Sequence, residues 1–363
     1  MTAPAVFNPA MLTLAKESAG LTQGAIAAHA GISQSLMSKI ENGFEDPSDD
    51  FIMKAAEITG VPRELFFQND PLPSDTIFDI FHKKRVTLPQ KPLRKANSNA
   101  RMLRAEVGRL LRSFDVPVVL PFPSLPIDQH DSPEEIAALT RAIWRLPTGP
   151  LPDLVKVVEA TGTPVITADL EHEKLRAMSM AGVKTDNAHI IVVNNRLPAS
   201  AQRFALAHEI GHLVMHEGIA TKEMEKQADD FASALLMPAA EISPRLRNIK
   251  FRDLGALKQQ WRVSLAALIY RAHALGLISE RHNTTLNMEL NRLPNGRKRE
   301  PGEFKPEEPT LIRRVVATYR NDLGYSIDEL CRLMVVTREK FMQFYIDEPG
   351  TPEDVPRFRV IRN

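Results

Sequence analysis

The segment "RFALAHEIGHLVMHEG", residues 203–218, places His208, His212 and His216 at steps of four, with Glu209 directly after the first. On a helix, His208 and His212 stand one turn apart on one face, so two imidazoles can converge on a tetrahedral metal ion. Glu209, about 100° round the helix, can sit beside that ion and activate its water. Three surface histidines are the alternative reading, but a chance HExxH is rare even in a chain with ten histidines. A catalytic zinc needs a third protein ligand and keeps its fourth position for water. His216 lies two turns from His208, ~12 Å along the axis, so a straight helix cannot bring all three to one ion. "EKQAD" on the following helix is better placed: Glu225 as third ligand, and Asp229, four residues on, to accept the second ring N–H of a ligating histidine. His216 is then a structural histidine or a transition-state stabiliser.

The elements that must position these groups follow from pattern. "PASAQRFALAHEIGHLVMHEG" reads as a helix with Leu206, Ile210, Leu213 and Val214 on one face. "KEMEKQADDFASALLMP" is a second, with Met224, Phe231, Leu235 and Leu236 inward and Pro238 just past its end. Upstream, two amphipathic helices begin at Ser132, an N-cap followed by Pro133, and near Pro152. Three β-like runs come between: "TPVITAD", "AMSMAGV" and "HIIVVNN". The order helix, helix, sheet, helix, helix is an α+β pattern. "HIIVVN", just before the HExxH helix, could pair with an extended substrate by β-addition. Beyond residue 245 come further helices, the polar, basic loop "NRLPNGRKREPGEFKPEEP" and a last helical cluster. That cluster has a faint helix-turn-helix cadence but no glycine at the turn, so it reads as a packing module; no internal repeat that sets the fold is evident.

Residues 8–68 are short helices broken at glycines. In "LTQGAIAAHAGISQSLMSKIENG", Gly31 marks the break and Ser33 an N-cap, which makes a helix-turn-helix; "PSDDFIMKAAEITGVPRELFF" adds two more helices, with Pro47 and Pro62 as starts. In this motif the second helix enters the major groove, so Ser33, Gln34, Ser35 and Ser38 are candidates for base edges, with Gln23 and Lys39 near phosphates. Charge works against tight binding by this segment alone. Residues 1–70 carry four Lys/Arg against nine Asp/Glu, whereas residues 82–112 carry ten against one. Phosphate neutralisation dominates affinity, so homodimerisation or the basic segment must assist.

At 363 residues and 43% hydrophobic content the chain is long enough for two or three domains. One cysteine, Cys331, excludes an internal disulfide and a cysteine-rich metal site, and leaves a lone buried thiol. With no membrane span and no secretory leader in view, the expectation is a cytoplasmic protein with no membrane partner. The fold expected is multi-domain and mainly α: an all-α helix-turn-helix domain over 8–68, a basic, proline-rich connector with a helix over 69–130, an α+β zincin-like domain with a small sheet over 131–290, and a C-terminal helical module over 308–348.

Two resemblances sharpen these readings. "KESAGLTQGAIAAHAGIS" with "SKIENG" resembles the five-helix DNA-binding domain of lambda-repressor and Xre-like regulators, which implies double-stranded DNA as a partner. "RFALAHEIGHLVMHEG" followed by "EKQADDFASALLMP", together with the helices from "PEEIAALTRAIWRLP", resembles the ImmA/IrrE family of metallopeptidases over about 130–240. That resemblance implies a gluzincin-type zinc endopeptidase with His208, His212 and Glu225 as ligands and Glu209 as general base. It also implies a protein substrate of the Xre-like repressor kind. The expectation is a DNA-binding transcriptional regulator fused to a zinc endopeptidase; the alternative is a transcription factor whose peptidase-like domain senses a ligand or partner without cutting.

Overall fold

The computed structural model describes residues 6–70, 90–182, 189–216, 222–294, 296, 299–346 and 359–360. The described residues fall into two compact units, one comprising 6–70, 90–116 and those from 311 onward, the other lying within 117–310. The first unit begins with α1 (Pro9–Ser18), α2 (Gln23–Ala30), α3 (Gln34–Glu41) and α4 (Asp49–Thr59). Their N-caps, Asn8, Thr22, Ser33 and Ser48, each accept a backbone N–H from the first turn, which supplies a partner the helix itself cannot. Gly31, at φ 71°, turns the chain between α2 and α3, a conformation that costs glycine little. Ile26, Met37, Ile40, Phe51 and Phe66 close the core. The last helix implied by the resemblance is a short 3-10 turn, Arg63–Phe67.

The connector's helix is α5 (Gln90–Leu111). Part of its charge is turned inward: Arg104 and Arg109 are buried, and Arg109 and Arg112 both pair with Asp70. Residues 82–89 of the basic run lie outside the described residues. After α5, β1 (Phe114–Asp115) pairs antiparallel with Arg359–Val360, numbered β5.

The second unit starts with α6 (Pro133–Ile143), capped by Ser132, and the short α7 (Leu154–Glu159). A three-stranded sheet follows, made of β2 (Val165–Ala168), β3 (Ala177–Met180) and β4 (Ile190–Asn194) in the order β2-β4-β3. β4 runs parallel to β2 and antiparallel to β3. The expectation that "HIIVVN" pairs with a substrate therefore fails. β4 is the central strand, its hydrogen-bonding groups are taken on both sides, and among the described residues the sheet edges are β2 and β3. Then come α8 (Ala199–Met215), α9 (Met224–Leu236), α10 (Ala239–Leu246), α11 (Phe251–Trp261), α12 (Leu265–Ala274) and α13 (Glu280–Asn291). α8 packs on β3 and β4 and on α9, which is why nearly all its side chains are buried rather than one stripe.

Buried arginines fix the far end of α9. Arg141 of α6 donates to the Leu235 carbonyl at 2.8 Å, and Arg271 of α12 donates to the Met237 carbonyl at 2.9 Å while gripping Glu134 through both terminal nitrogens. Cations at a helix C-terminus satisfy orphan carbonyls and complement the helix dipole. Residues 299–310, read from sequence as a basic loop, work through their acids. Glu300 accepts the Leu265 and Ala266 N–H groups, Glu303 the N–H and hydroxyl of Ser200, and Glu307 the N–H groups of Leu154 and Val155. One strap thus caps the N-termini of α12, α8 and α7.

The chain then returns to the first unit as α14 (Leu311–Asn321), α15 (Ile327–Met334) and α16 (Arg338–Tyr345). Tyr319 donates to the Leu110 carbonyl at 3.0 Å and Arg109 to that of Met334 at 2.7 Å, seating these helices on the C-terminal half of α5. Cys331 is buried among them, and burial raises its thiol pKa. The turn between α15 and α16 departs from expectation. Val335 adopts φ 57°, so a left-handed residue joins the two helices without glycine. The strain, ~1–2 kcal/mol, is set against burial of Val335 in the core it shares with Met102.

Glu300→Ala should destabilise the second unit by about 3–5 kcal/mol. The variant frees two N–H groups of α12 and removes one of the two carboxylates that hold the fully buried Lys258 ammonium. A urea-unfolding midpoint that barely moves would show that Glu303 and solvent suffice for Lys258.

Candidate metal centre and helix-turn-helix

The centre depends on how closely α8 and α9 approach. A Cβ placed on Gly211 would meet the Phe231 ring at 2.9 Å and the Ala228 Cα at 3.4 Å. Phe231 is fully buried, so the ring has nowhere to go. The glycine inside HEIGH is therefore the contact that lets the first turn of α9, carrying Glu225, reach the histidines of α8.

His208, His212 and Glu225 converge, with one ligand atom from each within 4.8 Å of the others. His208 Nε2 and His212 Nε2 are 3.0 Å apart, and the Glu225 carboxylate oxygens lie 3.7 and 3.4 Å from them. Ligand atoms about 2.0–2.1 Å from a tetrahedral zinc ion stand ~3.3 Å apart, so this donor set fits one. The outward ring nitrogens explain why both Nε2 atoms present lone pairs. His208 Nδ1 is 2.9 Å from Asp229 Oδ1, a carboxylate, so Nδ1 carries the proton. His216 Nε2 is 3.0 Å from Gln227 Oε1 and donates to it, which leaves His216 Nδ1 to accept from His212 Nδ1 at 3.1 Å. His216 itself is the C-cap of α8 with φ −112°; its ring packs behind that of His212. Burial, and secondarily His212, pushes its pKa down to about 4, so it is neutral and able to accept.

Glu209 is buried beside the pair, and its carboxylate accepts a 2.5 Å hydrogen bond from the Ser179 hydroxyl on β3. Ser179 escaped the reading of the sequence. The only signal was one small polar residue inside the apolar run "AMSMAG", which pattern alone assigns to a strand and not to a partner. Asp229 also lines a cavity of about 900 Å³ whose wall includes Arg176, Arg196, Phe204, Tyr270 and Glu303.

In the helix-turn-helix, Gln34, Ser35 and Lys39 are exposed. Ser33 is occupied as the N-cap of α3, bonding Leu36 N at 3.2 Å. Ser38 is half-buried, with its carbonyl bonded by Asn42. Gln23 donates to Glu41, which also takes Lys16 and Thr13. Burial alone would raise the Glu41 pKa, but these partners outweigh it and hold the carboxyl below the usual range.

Against known families, residues 158–273 match the IrrE N-terminal-like domain, and residues 10–66 match a helix-turn-helix domain. No curated protein matches the chain. One segment of the chain is thus similar to a helix-turn-helix domain and another to the IrrE-like domain of a peptidase family, and both matches lie on the elements just described.

Gly211→Ala should drive α9 away from α8, costing about 1–3 kcal/mol and lowering zinc affinity at least tenfold; wild-type affinity by competition titration would show that the Phe231 contact does not set the site. His216→Phe keeps the volume but removes the acceptor for His212 Nδ1, and should cost about 10- to 100-fold in zinc affinity with stoichiometry still near one per chain. For the helix-turn-helix, the depressed Glu41 pKa means stability present at neutral pH and lost as pH falls through the folded-state value. Amide exchange over residues 9–41 should accelerate on acidification in the wild type, and Glu41→Gln should flatten that dependence.

Proposed function

We propose that the chain is a DNA-binding transcriptional regulator whose second unit is a zinc-dependent endopeptidase, acting on a repressor-type protein. The observation that carries this reading is the convergence of His208 Nε2 and His212 Nε2, 3.0 Å apart, with the Glu225 carboxylate alongside. His208, His212 and Glu225 would hold zinc, with Asp229 and His216 fixing the imidazole tautomers. Bound there, zinc supplies Lewis acidity and lowers the pKa of a coordinated water to about 7.

The remaining chemistry belongs to the chain's own residues. Glu209 takes a proton from the attacking water and delivers it to the leaving amine nitrogen as the peptide bond breaks. Ser179 holds the Glu209 carboxylate in one rotamer through its hydroxyl. β3, which carries Ser179 and stands at the sheet edge, offers the strand along which an extended peptide would lie. In the first unit, Gln34, Ser35 and Lys39 present an exposed reading face on α3. Ser33 orders the helix start, and Gln23 and Ser38 contribute from the flanks.

The sensor reading draws on the cavity beside Asp229. Its wall, which mixes charged and apolar side chains, would suit an effector as well as substrate side chains, and occupancy without cleavage would make the second unit a ligand-responsive switch. Glu209→Gln separates the two. On the peptidase reading it retains zinc and lowers cleavage of a repressor substrate about 10²- to 10⁴-fold, followed by mass spectrometry of the products. Undiminished cleavage would remove Glu209 from the mechanism. Wild-type protein that holds zinc yet cuts no repressor encoded beside it would favour the sensor.

A further inference from the structure

We propose that residues 311–345 are a second DNA-reading helix-turn-helix, with α16 as its recognition helix. The two segments align without a gap at a constant offset of 304, the distance from Thr22 to Ser326, the N-caps of α2 and α15. Gly20 and Gly324 precede them at φ 68° and 73°. Met11, Leu12 and Ala15 on α1 correspond to Val315, Val316 and Tyr319 on α14, all buried. Ile26 and Ala27 correspond to Leu330 and Cys331, and Met37 to Phe341, again all buried. The turn repeats in its hydrogen bonds: Ile32 N bonds Ala27 O at 3.0 Å, and Val336 N bonds Cys331 O at 3.0 Å. Gly31 at φ 71° is matched by Val335 at φ 57°, and the N-cap Ser33 by Thr337. This is the internal repeat that the sequence conceals, because almost no residue identity survives in it.

A turn of this kind is not enough to make a reader. Arg262 at φ 53° joins α11 to α12 similarly, but Glu300 occupies the first N–H groups of α12 and Leu265 is buried. The start of α16 is open. The positions matching Gln34, Ser35 and Lys39 are Arg338, Glu339 and Gln343, and all six are exposed. Arginine and glutamine are the side chains that read guanine and adenine by paired hydrogen bonds. The Arg338–Asp328 pair is exposed at both ends, so it is weak enough to exchange for a base.

Charge points the same way. Residues 313–345 carry six Lys/Arg against four Asp/Glu, whereas residues 1–70 carry four against nine. Phosphate attraction that the first copy lacks is available in the second. Both copies dock on α5, the first through Ser98 and Glu17, the second through Glu106, which takes Lys340 and the Tyr345 hydroxyl, and through Arg109. A single chain then offers two reading helices, as a helix-turn-helix dimer does. This inference is separate from the peptidase reading and rests on α16, not on α3.

The test is selection of duplexes from a random library by the full-length protein, with hydroxyl-radical footprinting of the selected site. Two protected segments are expected. Arg338→Ala and Gln343→Ala should each relax preference at one base pair of the second segment by about 5- to 150-fold, leaving the first segment's preferences intact. Gln34→Ala should do the converse. A single segment sensitive to Gln34→Ala alone would overturn the proposal while leaving the first reader standing; no effect of Gln34→Ala beside a strong effect of Arg338→Ala would do the reverse. Absence of any selected duplex overturns it. So does a chain whose footprint ignores Arg338 and Gln343 but whose dimer dissociates on Met342→Ser with Phe344→Ser, which would make α16 a protein interface.

Discussion

The contact between Gly211 and Phe231 governs the second unit. A helix can align His208 with His212 without help, but no single helix can add a carboxylate to the same point. The third donor must come from another element, and that element must come close. Gly211 removes the one side chain that would keep α9 away, and Phe231, locked in the core, turns the vacancy into a fixed separation. Glu225 occupies the first turn of α9, where a carboxylate is also favoured by the helix dipole. Arg141 and Arg271 pin the opposite end. The proposed metal centre is therefore set by packing along the whole of α9 and not by the ligands alone.

Electrostatics at helix ends recurs throughout the chain. Glu300, Glu303 and Glu307 cap three helices from one extended strap, and that strap leads directly into α14. Each carboxylate meets N–H groups that have no partner inside their own helix. Two of these acids also neutralise Lys258, which has no exposed surface. In the first unit, Asp70 and Glu106 do comparable work for Arg109, Arg112 and Lys340. The basic character of the connector is thus partly internal: Arg109 is neutralised before any phosphate could reach it.

Much of this was legible in the sequence, for identifiable reasons. Strong periodicity and cap residues located α2, α3, α6, α8 and α9, and the alternation of apolar runs with turn residues located all three strands of the sheet. HExxH and "EKQAD" brought His208, His212, Glu225 and Asp229 to attention because metal chemistry dictates residue type and spacing. What stayed hidden depends on neighbours far apart in the chain. Ser179 meets Glu209 only because β3 lies beside α8. Gln227 gives His216 its role through a contact across two helices. The strand order, which makes β4 central, follows from the return of the chain through β3 and leaves no local signature. The C-terminal turn showed in the sequence only as a faint cadence, because its left-handed residue is Val335 and not the glycine that would mark it.

X-ray absorption spectroscopy of the zinc-loaded full-length protein addresses the central claim most directly, because it reads ligand type and number at the ion itself. The account predicts a four-coordinate zinc with two imidazoles and two oxygen donors, one from Glu225 and one from water, unchanged in first-shell composition by His216→Phe. A shell of three imidazoles, or one that loses an imidazole in His216→Phe, would contradict it.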